Sequence, residues 1–312
     1  MKPRNLILLI FKFTFLFIIF YYLYKNSYIN FQNLIDTIFA NIKIIILISL
    51  IGILTIFLAN FRWLIILKIF NFNFKFWEIF KITYIGIFFN NVLLGAYGGD
   101  FARVYYSINL TEESKKKIIL SIIIDRLFGF FGLTIISLFF FLQILTKEFY
   151  YKLVNLIYEN QLYTISLTFI FIFLIILSIL IFKKYIQNRK SISQYFKNLN
   201  FLALIRLLLI SLLIFVIINF MIYLITNFVY KFNIALNIIF FTNSIALFVN
   251  SLPLTPGGIG LGELAYTELI NLFDEYKKNL INFSNVYLIF RIINLIISLP
   301  GIIFFLMYKK SQ

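Results

Sequence analysis

Apolar residues along this chain fall in long blocks, with little of the alternation expected of strands. Six blocks, roughly 6–24, 44–61, 118–145, 162–182, 207–230 and 285–307, are long enough to cross a bilayer as helices, since about 20 residues cover the hydrocarbon core. Two shorter blocks, 79–95 and 238–252, reach only about 22–26 Å at the helical rise. Each short block runs into a Gly-Gly pair, and a second short segment follows the glycines. In hydrocarbon a broken helix is tolerated only where protein or a polar cavity surrounds it. The pattern therefore predicts an all-α polytopic membrane protein of about six spanning helices plus two re-entrant helical hairpins.

The two breaks share a frame, Asn91-x-Leu93-x-x-x-x-Gly98-Gly99 and Asn250-x-Leu252-x-x-x-x-Gly257-Gly258, 159 residues apart. Sliding the chain by that offset lays the first three spans on the last three. One membrane domain, 1–312, is thus expected to consist of two repeats, 1–158 and 159–312. Hairpins that do not cross leave three crossings per repeat, which inverts the second repeat relative to the first. With the N-terminus inside, cytoplasmic segments hold 18 Lys and Arg against 7 outside, counting Arg62 and Arg103 as cytoplasmic. This bias places both termini in the cytoplasm, with the plasma membrane as the expected location. Lys2 and Arg4 before an apolar run resemble a signal peptide. The run ends in Tyr21-Tyr22-Leu23-Tyr24-Lys25 instead of a small-residue cleavage site, so it reads as a retained first helix.

Composition narrows the chemistry. The chain is 62% hydrophobic and 13% charged, which fits a membrane protein and no ordinary soluble domain. Its net charge of +16 is spread over short loops, so topology explains it better than nucleic acid does. There is no Cys and no His, which removes thiol nucleophiles, imidazole bases and the usual zinc and haem ligands. No cofactor and no metal are expected. The abundant Phe, Ile, Asn, Lys and Tyr follow a general compositional bias, and no single ring is assigned a role.

The candidate chemistry lies around the breaks. Gly98 and Gly99 permit a tight turn, and Asp100 and Arg103 follow where a helix begins. Asp100 caps that helix or joins a wider network; Arg103 is its i,i+3 partner or faces a cavity as a planar donor for phosphate. Asp125 and Arg126 are adjacent in the third span and point about 100° apart, so each needs another partner. A network with Asp100 and Arg103 supplies one; snorkelling to water is the alternative. The second break carries Pro253, Pro256, Gly257, Gly258 and Gly260, and Glu263 follows in the first turn of the next helix, where its dipole favours a carboxylate. Arg291 is the natural counter-charge for Glu263. Asp100, Asp125 and Glu263 thus balance Arg103, Arg126 and Arg291. Without Gly-Lys-Ser/Thr or a preceding strand, the glycines form no nucleotide cradle.

Taken together, Asn90-Asn91-x-Leu93-x-Gly95-x-x-Gly98-Gly99-Asp100-x-x-Arg103, Asp125-Arg126-x-x-Gly129, Pro253-x-x-Pro256-Gly257-Gly258-x-Gly260-x-x-Glu263, and Arg291 with Gly301 resemble the flippase-like transmembrane domain of lysylphosphatidylglycerol synthases. That domain also occurs as stand-alone proteins and in archaeal lipid glycosylation proteins. The chain departs from the family pattern at Leu94, where a proline commonly precedes Gly95. No aminoacyl-transfer domain is expected after residue 312, so the resemblance implies translocation of a phospholipid or polyprenyl-phosphate lipid, with a lipid-modifying transferase as the partner class. A lipid glycosylation or head-group-modifying enzyme or subunit, with a carboxylate as base, is the runner-up. An ion-coupled small-solute carrier and a scaffold are further alternatives.

Overall fold

The computed structural model describes residues 31–92, 98–111, 115–145, 201–251, 260–273 and 280–310, together with Tyr21 and Thr255. The predicted spans 6–24 and 162–182 lie outside the described residues, as do the loop through Gly95 and the turn residues Pro256, Gly257 and Gly258. Among the described residues the fold is all-helical. It comprises α1 (Phe31–Ala40), α2 (Ile42–Ile69), α3 (Phe76–Val92), α4 (Gly98–Ile108), α5 (Lys115–Ile144), α6 (Phe201–Leu224), α7 (Leu236–Asn250), α8 (Leu261–Asn271), α9 (Leu280–Ser298) and α10 (Pro300–Lys310).

Among the described residues, four helical segments are long and apolar enough to cross a membrane: Ile42–Ile69, Lys115–Ile144, Phe201–Val229 and Phe283–Tyr308. They match the expected second, third, fifth and sixth spans. Their outer faces carry exposed Leu50, Leu54, Phe131, Leu142, Leu213 and Leu306, the surface that a hydrocarbon solvent accepts and water does not. The last span is broken once, at Leu299. Pro300 starts α10, a position where its missing N–H has no intrahelical partner to lose.

The second span corrects the charge count. It does not stop at residue 61 but continues to Ile69, because Trp63, Leu64, Ile66 and Leu67 keep the helix buried beyond Arg62. Arg62 therefore sits within the fold instead of in a cytoplasmic loop, and Arg103 is buried as well. Removing both leaves 16 against 7, so the bias keeps its sign. The helix stops at a Schellman turn. Asn71 adopts φ 64, the Phe72 N–H reaches the Leu67 carbonyl at 3.0 Å, and the Asn71 N–H reaches that of Lys68 at 3.0 Å.

The short blocks fold as α3 and α7, of 17 and 15 residues, each followed across a break by an 11-residue helix, α4 or α8. α4 packs back on α3, and α8 on α7. In the first pair the backbones touch: a Cβ on Gly99 would collide with the Gly86 carbonyl oxygen, and one on Gly86 would lie 2.7 Å from Arg103 Cγ. Glycine is needed at both positions for the close approach. Replacing Gly99 by Ala is expected to force the arms apart and to cost about 1–3 kcal/mol of stability, seen as a lowered midpoint in detergent-solubilised unfolding. An unchanged midpoint would mean that the arms are not in backbone contact.

At the start of α7, a short π-helical turn, Ile225–Val229, ends the fifth span, and the Asn227 side chain clamps Ile234 through both its amide groups at 2.8 Å. Lys231 and Asn233 take positive φ in the tight turn between them. One apolar core joins α2, α6 and α9 around Ile48, Met221, Tyr266 and Tyr287; a second joins α2, α3 and α5 around Trp63, Ile82 and Ile122. The charged groups lie where these layers meet the two helix pairs.

Candidate functional site

Asp125, on the third span, accepts from two arginines. Its Oδ1 takes the Arg62 Nε–H at 2.7 Å, and its Oδ2 takes both terminal nitrogens of Arg103 at 3.1 and 3.0 Å. Arg126, one residue on, points elsewhere and donates from Nε to Asp100 Oδ2 at 2.9 Å. Asp100 Oδ1 lies 3.6 Å from Arg103. Asp100, Arg103, Asp125 and Arg126 thus join in one network, and Asp100 spends its carboxylate on Arg103 of its own helix and Arg126 of the third span. The first helix pair is tied instead by Asn90, whose Oδ1 accepts the Gly99 N–H at 2.8 Å.

Arg62 enlarges that network. It also donates to Ser211 Oγ on α6 at 3.0 Å, joining the first half of the chain to the second. Trp63 fixes its neighbour: the Arg103 guanidinium carbon sits 3.9 Å above the indole, and the indole N–H donates to Ser121 Oγ at 3.1 Å. Arg62, Trp63 and Ser211 escaped sequence reasoning. The available signal was the apolar run Trp63-Leu64-Ile65-Ile66-Leu67 after Arg62, which makes the arginine a mid-helix charge.

The second cluster is compact. Glu263 is fully buried; its Oε1 accepts from Arg291 Nε at 2.7 Å, and its Oε2 accepts from Arg291 Nη2 at 3.2 Å and from the Gly260 N–H at 2.8 Å. Arg291 Nη2 also donates to Asn250 Oδ1 at 3.0 Å. Gly260 holds φ 87, a conformation that side chains rarely adopt, so the break here requires glycine. The Asn of each repeated frame reaches α9: Asn250 binds Arg291, and Asn91 Nδ2 donates to the Asn294 carbonyl at 3.4 Å. Both helix pairs are therefore fastened to the same stretch of the last span.

Two cavities open beside the first cluster. One, of 220 Å³, is lined by Phe130, Phe215, Leu247 and Phe248 together with Arg62, Arg126 and Ser251, and so lies between the first cluster and the end of α7. The other, of 150 Å³, is lined by Arg62, Arg103, Arg126, Thr83, Asn90 and Asp125. Arg62 and Arg126 border both. Phe130, part of the larger cavity's wall, is also exposed on the third span. Among the described residues the first cluster sets three arginines against two carboxylates, so the balanced set expected from sequence becomes an excess of one positive charge. Buried charges at membrane depth are costly and mark functional sites by default. A positive excess beside a cavity suits an anion.

Comparison with known proteins agrees with this architecture. The family model described as the lysylphosphatidylglycerol synthase TM region matches residues 7–301. A UPF0104 membrane protein of Methanocaldococcus jannaschii is 30% identical over 198 residues, which cover 62% of this chain and 55% of that protein. The chain thus aligns with little more than half the length of this curated relative. With a family match over nearly its whole length, the chain belongs to the lysylphosphatidylglycerol synthase transmembrane-region family.

Proposed function

We propose that the protein moves a phosphate-bearing lipid, a phospholipid or a polyprenyl-phosphate lipid, between bilayer leaflets. The observation that carries this reading is the 220 Å³ cavity, which joins an aromatic and aliphatic wall to Arg62 and Arg126 at the edge of the first cluster. A head group seated on the arginines leaves its tail along Phe130, toward hydrocarbon, so the lipid never has to leave an apolar surface. In this reading α3–α4 and α7–α8 are re-entrant hairpins of two inverted repeats, with both termini in the cytoplasm of a plasma-membrane protein. Rocking of one repeat against the other then exposes the site to each leaflet in turn. A lipid-modifying transferase working on the same lipid is the expected partner.

The Gly99 and Gly260 N–H groups are taken by Asn90 and Glu263, so the arginines and not these helix ends serve the anion. Purified protein in liposomes, with a labelled lipid read by a membrane-impermeant reagent, tests the proposal. Equal leaflet exchange with and without protein would overturn it. The Arg126→Gln variant is expected to lower exchange about tenfold at limiting lipid, the loss of one charge-assisted hydrogen bond, with its unfolding midpoint little changed because its side chain is 39% exposed. Full exchange in that variant would remove Arg126 from the path.

A further inference from the structure

The two charged clusters share a ground plan. Asp100 and Glu263 are each the third residue of an 11-residue helix that follows a glycine break. Each carboxylate accepts an Nε–H from an arginine on the next long helix, Asp100 from Arg126 at 2.9 Å and Glu263 from Arg291 at 2.7 Å. The correspondence runs into the packing. Arg126 and Arg291 each stand six residues before the point where their helix crosses a partner: Gly132 meets Ser211 on α6, and Ile297 meets Gly52 on α2. The 159-residue offset of the two breaks lays Gly52 on Ser211 and Arg62 on Met221. Both images are in contact, since Arg62 reaches Ser211 and Met221 reaches Gly52. The crossing of α2 and α6 is thus the same from either repeat, whereas the two carboxylate contacts differ. Glu263 is fully buried and both its oxygens accept hydrogen bonds. The Asp100 side chain is 14% exposed, and its Oδ1, 3.6 Å from Arg103, lacks a hydrogen bond among the described residues. Both cavities border Arg126.

Packing couples the two contacts. The third span, α5, carries Arg126 and packs along α7, the first arm of the second helix pair. The last span carries Arg291 and packs along α3, the first arm of the first helix pair, where Gly301 lies against the Tyr84 backbone. Each of these spans is therefore held by an ion pair to the helix pair of its own half and by packing to that of the other. Releasing an ion pair frees its span to follow the opposite helix pair, the kind of bistable packing on which switching transitions are built. From this, and resting on the translocation reading above, we propose that Asp100 with Arg126 and Glu263 with Arg291 are repeat-related latches that open in alternation about the α2 and α6 crossing. The structure holds the second latch shut and the first ajar. Exchange of conformations between the repeats shuts the cavities at Arg126 and uncovers Arg291. The contacts of α2 with α6 are images of each other, so the exchange preserves them.

The chain has no Cys, so an introduced one reports alone. Gly129→Cys and Asn294→Cys each place a thiol three residues after a latch arginine. A Cβ at Gly129 stays in ordinary contact with Arg62, at 3.7 Å, and the Asn294 side chain serves only the Phe290 carbonyl of its own helix among the described residues. Labelling rates with a membrane-impermeant maleimide are measured on the full chain in lipid nanodiscs, where both faces are open to the reagent. Gly129→Cys is expected to label faster than Asn294→Cys. Glu263→Gln is expected to speed Asn294→Cys and to slow Gly129→Cys at least about fivefold, the lower end of usual coupling between sites. Asp100→Asn is expected to do the reverse, and Arg126→Gln, at the more exposed end of the same latch, to match it. The distant reporter decides, because a nearby substitution also changes the thiol's own surroundings. A distant reporter that does not move shows independent latches, and one that speeds up shows a general loosening; either result overturns the alternation. The outcomes are separable from transport: reciprocal labelling without leaflet exchange defeats translocation alone, and exchange with independent reporters defeats this inference alone.

Discussion

Replacing Asp125 by Asn is expected to destabilise the protein by about 3–5 kcal/mol, the range for removing one member of a buried ion pair. The side chain keeps its shape, while one of its two acceptor oxygens becomes an NH2 donor facing an arginine, so the loss reports charge and a lost acceptor and not packing. Arg62 and Arg103, whose side chains are 10% and 8% exposed, would then face each other across a neutral amide. Equilibrium unfolding in detergent measures the effect, and a change below about 1 kcal/mol would show that solvent reaches both arginines. Two further results follow from the same geometry. Adding Arg62→Gln to Asp125→Asn is expected to recover part of the loss, since the repulsion goes with the second charge. Excess phosphatidic acid is expected to raise the unfolding midpoint of Asp125→Asn more than that of the parent, because a bound anion replaces the missing carboxylate.

How far the sequence disclosed this site depends on which signal each residue gave. Glu263 and Arg291 were legible as partners because a carboxylate just after a glycine-rich break and a lone arginine in an apolar span each demand compensation. Asp125 and Arg126 were legible as residues with separate partners from helix geometry alone, and the structure gives them separate partners. Arg62 was hidden by a hydropathy reading that ended the span at the first charge. What keeps it inside is tertiary: Asp125 and Ser211 receive its guanidinium, and these groups lie 63 and 149 residues away. Gly86 was hidden for a related reason. Its need for glycine arises from the backbone of α4 crossing it, and a single glycine within a helical block carries no local mark of that contact. Apart from the end of the second span, the boundaries of the four spans among the described residues followed from hydropathy to within several residues, since the bilayer is one solvent acting on every segment in the same way.

The second large effect concerns the hairpin at Gly260, and its size depends on which partner is removed. Arg291→Gln leaves Glu263 fully buried with the Gly260 N–H as its backbone donor, and the expected cost is about 3–5 kcal/mol. Glu263→Gln is expected to cost less, about 1–3 kcal/mol, for two reasons. The glutamine carbonyl still accepts from Gly260, and the Arg291 side chain, 20% exposed and bonded to Asn250, keeps both solvent and a neutral acceptor. The double variant is expected to be more stable than Arg291→Gln alone, because two neutral amides replace a stranded carboxylate. Unfolding midpoints of the three proteins rank these states directly, and the reverse order for the single variants would mean that Arg291, not Glu263, is the group the fold isolates. The ranking also bears on mechanism. A carboxylate that only holds the hairpin can be exchanged for a neutral acceptor with leaflet exchange preserved, whereas one that must charge and discharge during transport cannot. Glu263→Gln with a modest stability loss and intact exchange would therefore assign the second hairpin a structural part, and leave the recognition of the anion to the three arginines of the first cluster.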